Sequence, residues 1–182
     1  MTLSATKIVL WEQCPKQYRL RYDDRRRLPG AKPVNLAFGT VVHETLEDAG
    51  AALVAANYSG DLAGGVDRLQ RLFWRKFAAS SLTGADYYAE GERLLASWAR
   101  RMGHTVGSDI LAVEQRFDLP IGDTQMIGYI DRVDRIDEET IAVIDYKTSR
   151  SIKNREQMAQ DTQLSVYAWA ARQLYPWART IH

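Results

Sequence analysis

From Thr40 onward apolar residues recur three and four apart, at Val42, Leu46, Ala49 and Leu53, which predicts an amphipathic helix. Two more follow, one built on Leu69, Leu72, Phe73 and Phe77 and one on Leu94, Leu95, Trp98 and Met102. Upstream, Ser4 suits a helix cap ahead of Ile8, Leu10 and Trp11, and Pro15 opens a second short segment in which Tyr18, Leu20 and Tyr22 alternate with bases. "LPGAKP" interrupts that pattern and reads as a loop. The period then changes. "ILAVEQRFDLP", "QMIGYIDRVDRI" and "TIAVIDYKT" are short, rich in Val, Ile and aromatics, and separated by Gly-Asp and Asp-Glu-Glu turns, which predicts three consecutive strands of a meander. Residues 155–175 return to helical spacing, with Met158, Leu164, Ala168 and Leu174 among the apolar positions and Pro176 at the end. No repeat, low-complexity segment or composition break divides the chain. Residues 1–182 therefore read as a single α/β domain, mainly helical over 1–105 and carrying the sheet and a closing helix over 106–182.

Composition narrows the class without naming a function. At 182 residues, 46% hydrophobic and 26% charged, the chain suits one globular core rather than a disordered or membrane protein. No stretch approaches the roughly 20 apolar residues of a membrane helix, and the N-terminus lacks a signal-peptide core, so a cytoplasmic protein without a membrane partner is expected. The single cysteine, Cys14, rules out an intrachain disulfide. A net charge of +1 announces no nucleic-acid partner. Residues 1–35 nevertheless carry eight bases against three acids, a local balance of +5 suited to phosphates or simply to a solvated helix face.

"IAVIDYKTSR", residues 141–150, ends an apolar run with two opposite charges. Alternate residues of a strand share a face, so Val143, Asp145 and Lys147 project together while Ile144 and Tyr146 take the other side. A hairpin closing near "DEET" brings Asp131 of the preceding strand alongside Asp145. Adjacent carboxylates are costly without a cation between them, and hard oxygen ligands suit Mg²⁺ or Mn²⁺. A neighbouring ammonium adds the means to orient a water or offset charge on a phosphate. From spacing alone a second reading stands equally, in which Asp145 pairs with Lys147, and Asp131 with Arg132 or Arg135, on an exposed sheet face.

The blocks taken in order, "FGTVVHETLE" with its Gly-x-x-x-His, "GYIDRVD", "VIDYKTS" and "QLSVYA", resemble the PD-(D/E)XK nuclease superfamily, and within it the RecB-like exonuclease group. The opening "SATKIVLWEQCPKQYRLRY" is similar to that group's N-terminal segment. The resemblance implies a restriction-endonuclease-like core, a central mixed sheet flanked by helices, with a helical N-terminal region. It implies a metal-dependent DNA nuclease, an exonuclease acting on DNA ends in repair, recombination or defence. Asp131 and Asp145 become metal-binding carboxylates, the carbonyl of Tyr146 a further ligand, His43 an additional one, and Lys147 the catalytic lysine. Glu114 in "AVEQRF" matches a first-strand glutamate that often borders such sites, or else is a solvated strand residue. Gln163 and Tyr167, four apart on one helix face, reach toward the scissile phosphate, or else serve as a cap and a buried tyrosine. Thr148 and Ser149 suit a phosphate contact or a strand-ending turn equally.

Cys14 stands where some of these relatives place the first of four cysteine ligands to an iron-sulfur cluster. With no other cysteine the chain cannot hold that cluster alone. Cys14 is then either a small buried residue of a cluster-free branch or a remnant of a longer iron-sulfur helicase-nuclease. The final "ARTIH" resembles the start of a last strand cut short, leaving a sheet edge open to self-association or to a partner, a helicase or other recombination subunit among them. Single-stranded DNA or duplex ends are the implied substrates; Trp11, Tyr18, Tyr22 and Arg25 to Arg27 are candidates for a strand-tracking surface, with core packing the alternative for the aromatics. The alternative class is a non-catalytic DNA-binding or scaffold module.

Overall fold

The computed structural model describes residues 2–23, 34–55, 65–102, 109–149, 151 and 153–182. Its elements in chain order are β1 (Thr2–Leu3), α1 (Ala5–Gln13), α2 (Pro15–Tyr18) with a π-helical extension (Arg19–Asp23), α3 (Val34–Ala55), α4 (Gly65–Ala79), α5 (Ala85–Met102), β2 (Ile110–Ile121), β3 (Thr124–Arg135), β4 (Thr140–Ile144), α6 (Arg155–Ala159), α7 (Thr162–Leu174) and β5 (Thr180–Ile181). Among the described residues no helix is long and apolar enough to cross a membrane. Two compact units emerge. One holds residues 1–31, 114–145 and 151–182, the other residues 32–113 and 146–150.

The first unit is organised around β3, which pairs with β1, β2 and β4. Ile121 and Thr124 are joined through Gly122 and Asp123, too short a connection for anything but a hairpin. Gly122 has φ 57° while Asp123 keeps an ordinary negative φ, the signature of a turn with glycine in its first central position. β1 runs parallel to β3 at Thr2–Gln125 and Leu3–Met126, β4 runs antiparallel to it, and β5 runs parallel to β4, so the sheet is mixed as expected. Ile130, Val133 and Ile141 are fully buried in it. α7 packs on β4 and β5, and α1 packs on α7, where the Thr162 hydroxyl donates to Glu12 at 2.8 Å.

Local sequence explains most of these boundaries. Ser4 caps α1 by accepting from the Lys7 amide at 3.3 Å, and Pro15 sits in the first turn of α2. The single helix expected over 155–175 is two, because Asp161 accepts from the Leu164 amide at 3.0 Å and starts α7 afresh. Met158 is consequently 48% exposed on α6 and is no core position, while Tyr167, Ala170 and Ala171 form the buried face of α7. α3 begins at Val34, a turn and a half before Thr40. β1 answers to no sequence signal, being two residues long. The "LPGAKP" loop and Arg25 to Arg27 lie outside the described residues.

The second unit is a helical assembly in which α4 packs on α3 and α5. Ala49, Leu69 and Ala99 meet at its centre with Val66 and Trp98 against them. Phe73, Phe77 and Tyr88 form a ring cluster with centroids 5.5–5.7 Å apart. The close approach of Phe73 to α5 requires a glycine, because a Cβ on Gly91 would lie 2.0 Å from its ring. Gly91→Ala is therefore expected to destabilise the protein by about 1–3 kcal/mol. At about 2–4 °C per kcal/mol for a chain of this size, thermal unfolding monitored by circular dichroism should show a Tm lowered by several degrees.

Candidate metal centre

The β3–β4 ladder pairs Arg135 with Ile141, Asp134 with Ala142, Val133 with Val143 and Arg132 with Ile144. One step further, the register sets Asp131 opposite Asp145. β4 stops at Ile144, so Asp145 and Lys147 lie beyond the regular strand rather than within it, and the alternation argument for their shared face does not apply there. Asp131 is buried at 8% exposure and Asp145 is half-buried.

Glu114 comes to the same place from β2. Its side chain and that of Asp131 offer carboxylate oxygens within 4.8 Å of one another. Glu114 also has φ 47°, in the left-handed region that costs a side-chain-bearing residue about 1 kcal/mol or more. A backbone held there in mid-strand turns its side chain out of the regular alternation of β2.

From α7, the Gln163 amide donates to the Tyr167 hydroxyl at 2.8 Å and to the Asp145 carboxylate at 3.4 Å. Spacing four apart on a helix is what permits one amide to bridge both. Tyr167 is buried, packs edge-on against Phe117 at 6.3 Å, and has its pKa pushed up to about 12. Burial is the largest cause; the Gln163 donor pulls the other way, and Asp145, Asp131 and Glu114 add repulsion against a phenolate. Tyr167 thus senses all three carboxylates.

The expected pairing of Asp131 with Arg132 or Arg135 on an exposed face gives way to another arrangement. Arg132 is fully buried and its fork takes both oxygens of Asp134, each at 2.6 Å. Arg135 lies over the Trp177 ring at 4.9 Å. The buried Arg132–Asp134 pair was not legible in sequence, since "DRVDR" offers several equivalent pairings.

In the second unit, Gly39 and His43 stand four apart on α3, on the face that receives the segment after Asp145. The Thr148 hydroxyl lies 3.4 Å from where a Gly39 Cβ would be, and the His43 ring packs edge-on against Tyr146 at 5.9 Å. Tyr146 also meets Trp98 at 6.4 Å and is buried, while Lys147 and Ser149 are exposed. The histidine of the Gly-x-x-x-His spacing thus braces the buried tyrosine, while a Cβ at Gly39 would meet Thr148 only at ordinary contact distance.

The match to a family model extends over residues 2–180 and is to the PD-(D/E)XK nuclease superfamily. The chain belongs to that superfamily. Membership makes it a metal-dependent nuclease by family, and the acidic donors brought together by β2 and β3 are of the hard-oxygen type that a divalent ion takes. No curated protein matches the sequence.

Other PD-(D/E)XK features noted in sequence are placed differently. Tyr18 is buried between Trp11 and Tyr22, with ring centroids 5.3 and 5.2 Å away, so it presents no face for a strand. Cys14 is partly exposed rather than buried, and its sulfur caps α2 by accepting from the Gln17 amide at 3.4 Å.

Because the folded-state pKa of Tyr167 lies above its ordinary value of 10.0, the protonated hydroxyl stabilises the fold fully below about pH 10. That contribution is lost as pH rises toward 12. Ultraviolet difference titration of the protein against Tyr167→Phe, in EDTA, should isolate one tyrosine ionising near pH 12. Asp145→Asn should move that transition downward by removing one repulsive charge.

Proposed function

We propose that the chain is a Mg²⁺- or Mn²⁺-dependent deoxyribonuclease of the RecB-like group, a cytoplasmic exonuclease acting on DNA ends, with residues 1–182 as one catalytic domain. The observation that carries the reading is the approach of the Glu114 and Asp131 carboxylates, with Asp145, Gln163 and Tyr167 linked beside them through the Gln163 amide and the Tyr167 hydroxyl. The chain's place in DNA repair, recombination or defence is the part of the proposal that rests on the resemblance to the RecB-like group alone.

The donor set fits a hard divalent ion. Asp131 and Asp145 would hold it, with the Tyr146 carbonyl and a neutral His43 imidazole as further ligands and Glu114 at the border. When bound, such an ion draws charge from a phosphate oxygen and makes a coordinated water more acidic. The chain's own residues supply the rest. Lys147, on the exposed continuation of β4, brings an ammonium to orient the attacking water and offset charge building on the phosphate. As the water oxygen bonds to phosphorus, its proton would pass to bulk solvent, the bond to the departing sugar oxygen would break, and that oxygen would take up a proton from solvent in return. Gln163 fixes the Asp145 carboxylate from behind and keeps its amide aimed at the acidic cluster. Tyr167, protonated throughout the neutral range, offers a hydroxyl rather than a competing anion. Among the aromatics near the N-terminus, Trp11 at 45% exposure and Tyr22 are accessible for a strand.

End-labelled single-stranded and duplex DNA, linear and circular, with Mg²⁺, Mn²⁺ or EDTA should be degraded only with metal and only where ends exist. Lys147→Ala and Asp145→Ala should each reduce the rate at least 100-fold, as removal of a single group stabilising transition-state charge does. Binding without cleavage under both metals would make the chain a DNA-binding module instead, and cleavage of circles would make it an endonuclease.

A further inference from the structure

We propose that the outer face of α4 is a second nucleic-acid contact, a stacking and phosphate surface for single-stranded DNA built from Arg71, Trp74 and Arg75. It deepens the nuclease reading and rests on it for its substrate.

α4 is strongly two-sided. Leu69 and Phe73 are buried against the neighbouring helices, while Arg68, Arg71, Trp74 and Arg75 are exposed on the other side. Trp74 is 59% exposed, an unusual position for an indole, which is normally buried over most of its area. Arg71 and Arg75 are one helical turn apart and flank it, and Arg68 continues the row, so three guanidinium groups are strung along about 10 Å of helix. Arg71, Trp74 and Arg75 line an open groove of about 510 Å³ with Asp67, Gln70 and Tyr88.

The charges of this row are held apart from the surrounding ion pairs. On the same helix Lys76 is committed to Asp48 at 2.8 Å, and on α5 Arg93 is held by Glu90 at 2.7 Å. Among the described residues Arg68, Arg71 and Arg75 make no ion pair. The acid lining the groove is Asp67, and Glu92 accepts from the Tyr88 hydroxyl at its margin. The groove is thus lined by two arginines against one acid, with the broad aromatic plane of Trp74 beside them. That combination matches a single strand, whose phosphates meet arginines while an unpaired base stacks on the ring. A duplex offers no free base face, and an acidic peptide needs the arginines but not the indole.

The test is anisotropy of a fluorescein-labelled oligodeoxythymidylate in EDTA, where no cleavage occurs, over a series of salt concentrations. Arg71→Ala with Arg75→Ala should weaken binding and lower the salt slope by about 1.4, at roughly 0.7 per phosphate contact on a single strand. Trp74→Ala should weaken binding about tenfold and Trp74→Phe less, the order expected of stacking. Polyglutamate serves as the second probe. Unchanged binding in these variants would overturn the proposal. So would a Trp74-independent loss shared with polyglutamate, which would mark the face as a docking site for an acidic protein.

Cleavage assays on the same proteins separate the two readings. A wild-type protein that binds the oligonucleotide through α4 but cuts no DNA with either metal refutes the nuclease and leaves this surface standing. A protein that cuts DNA while the α4 variants bind like wild type refutes the surface and leaves the nuclease standing.

Discussion

Asp131 lies one step past the last ladder pair of β3 and β4, so its partner across the gap is fixed by hydrogen bonds made elsewhere in the strand. A slip of one residue would turn Ile141 outward and carry Asp145 away from Asp131. The burial of Ile130, Val133 and Ile141 on β3 and β4 holds that register. It therefore secures both the core of the first unit and the position of Asp131, which acts on the Tyr167 hydroxyl together with Asp145. The same neighbourhood reaches α7, where burial raises the Tyr167 pKa and the three acids add to it, while the Gln163 amide donates to hydroxyl and carboxylate. Structural stability is spent at Glu114 as well, where a left-handed backbone brings a third acid in.

Asp145, Tyr146 and Lys147 are consecutive, yet each is handled differently. Asp145 follows the last paired residue of β4, Tyr146 is buried against His43 and Trp98, and Lys147 is exposed. Ending β4 at Ile144 is what frees these three side chains from strict alternation.

Much of this was legible in the sequence because it depends on short-range pattern. The alternation in β3 and β4 and the turn residues between them were enough to locate the hairpin, and four-residue spacing was enough to put Gln163 beside Tyr167. What escaped depends on tertiary choice. "DRVDR" contains several possible ion pairs, and only packing selects Arg132 with Asp134 and sends Arg135 to Trp177. Periodicity ran through Asp161 because a capping residue inside an apolar pattern looks like a polar position on a continuing helix. Tyr18 among bases resembled a binding aromatic, but its neighbours Trp11 and Tyr22 enclose it. A two-residue β1 and the positive φ of Glu114 leave no trace in residue type at all.

Direct binding of Mn²⁺, followed by loss of the free-ion electron paramagnetic resonance signal on titration with protein, tests the carboxylate centre without relying on a substrate. Wild-type protein should bind the ion, with affinity lowered at least tenfold in Asp131→Asn and in Asp145→Asn and less in Glu114→Gln. If the asparagine variants bind Mn²⁺ as the wild type does, or if the wild type binds none, the convergence of Asp131 and Asp145 serves some purpose other than holding a metal.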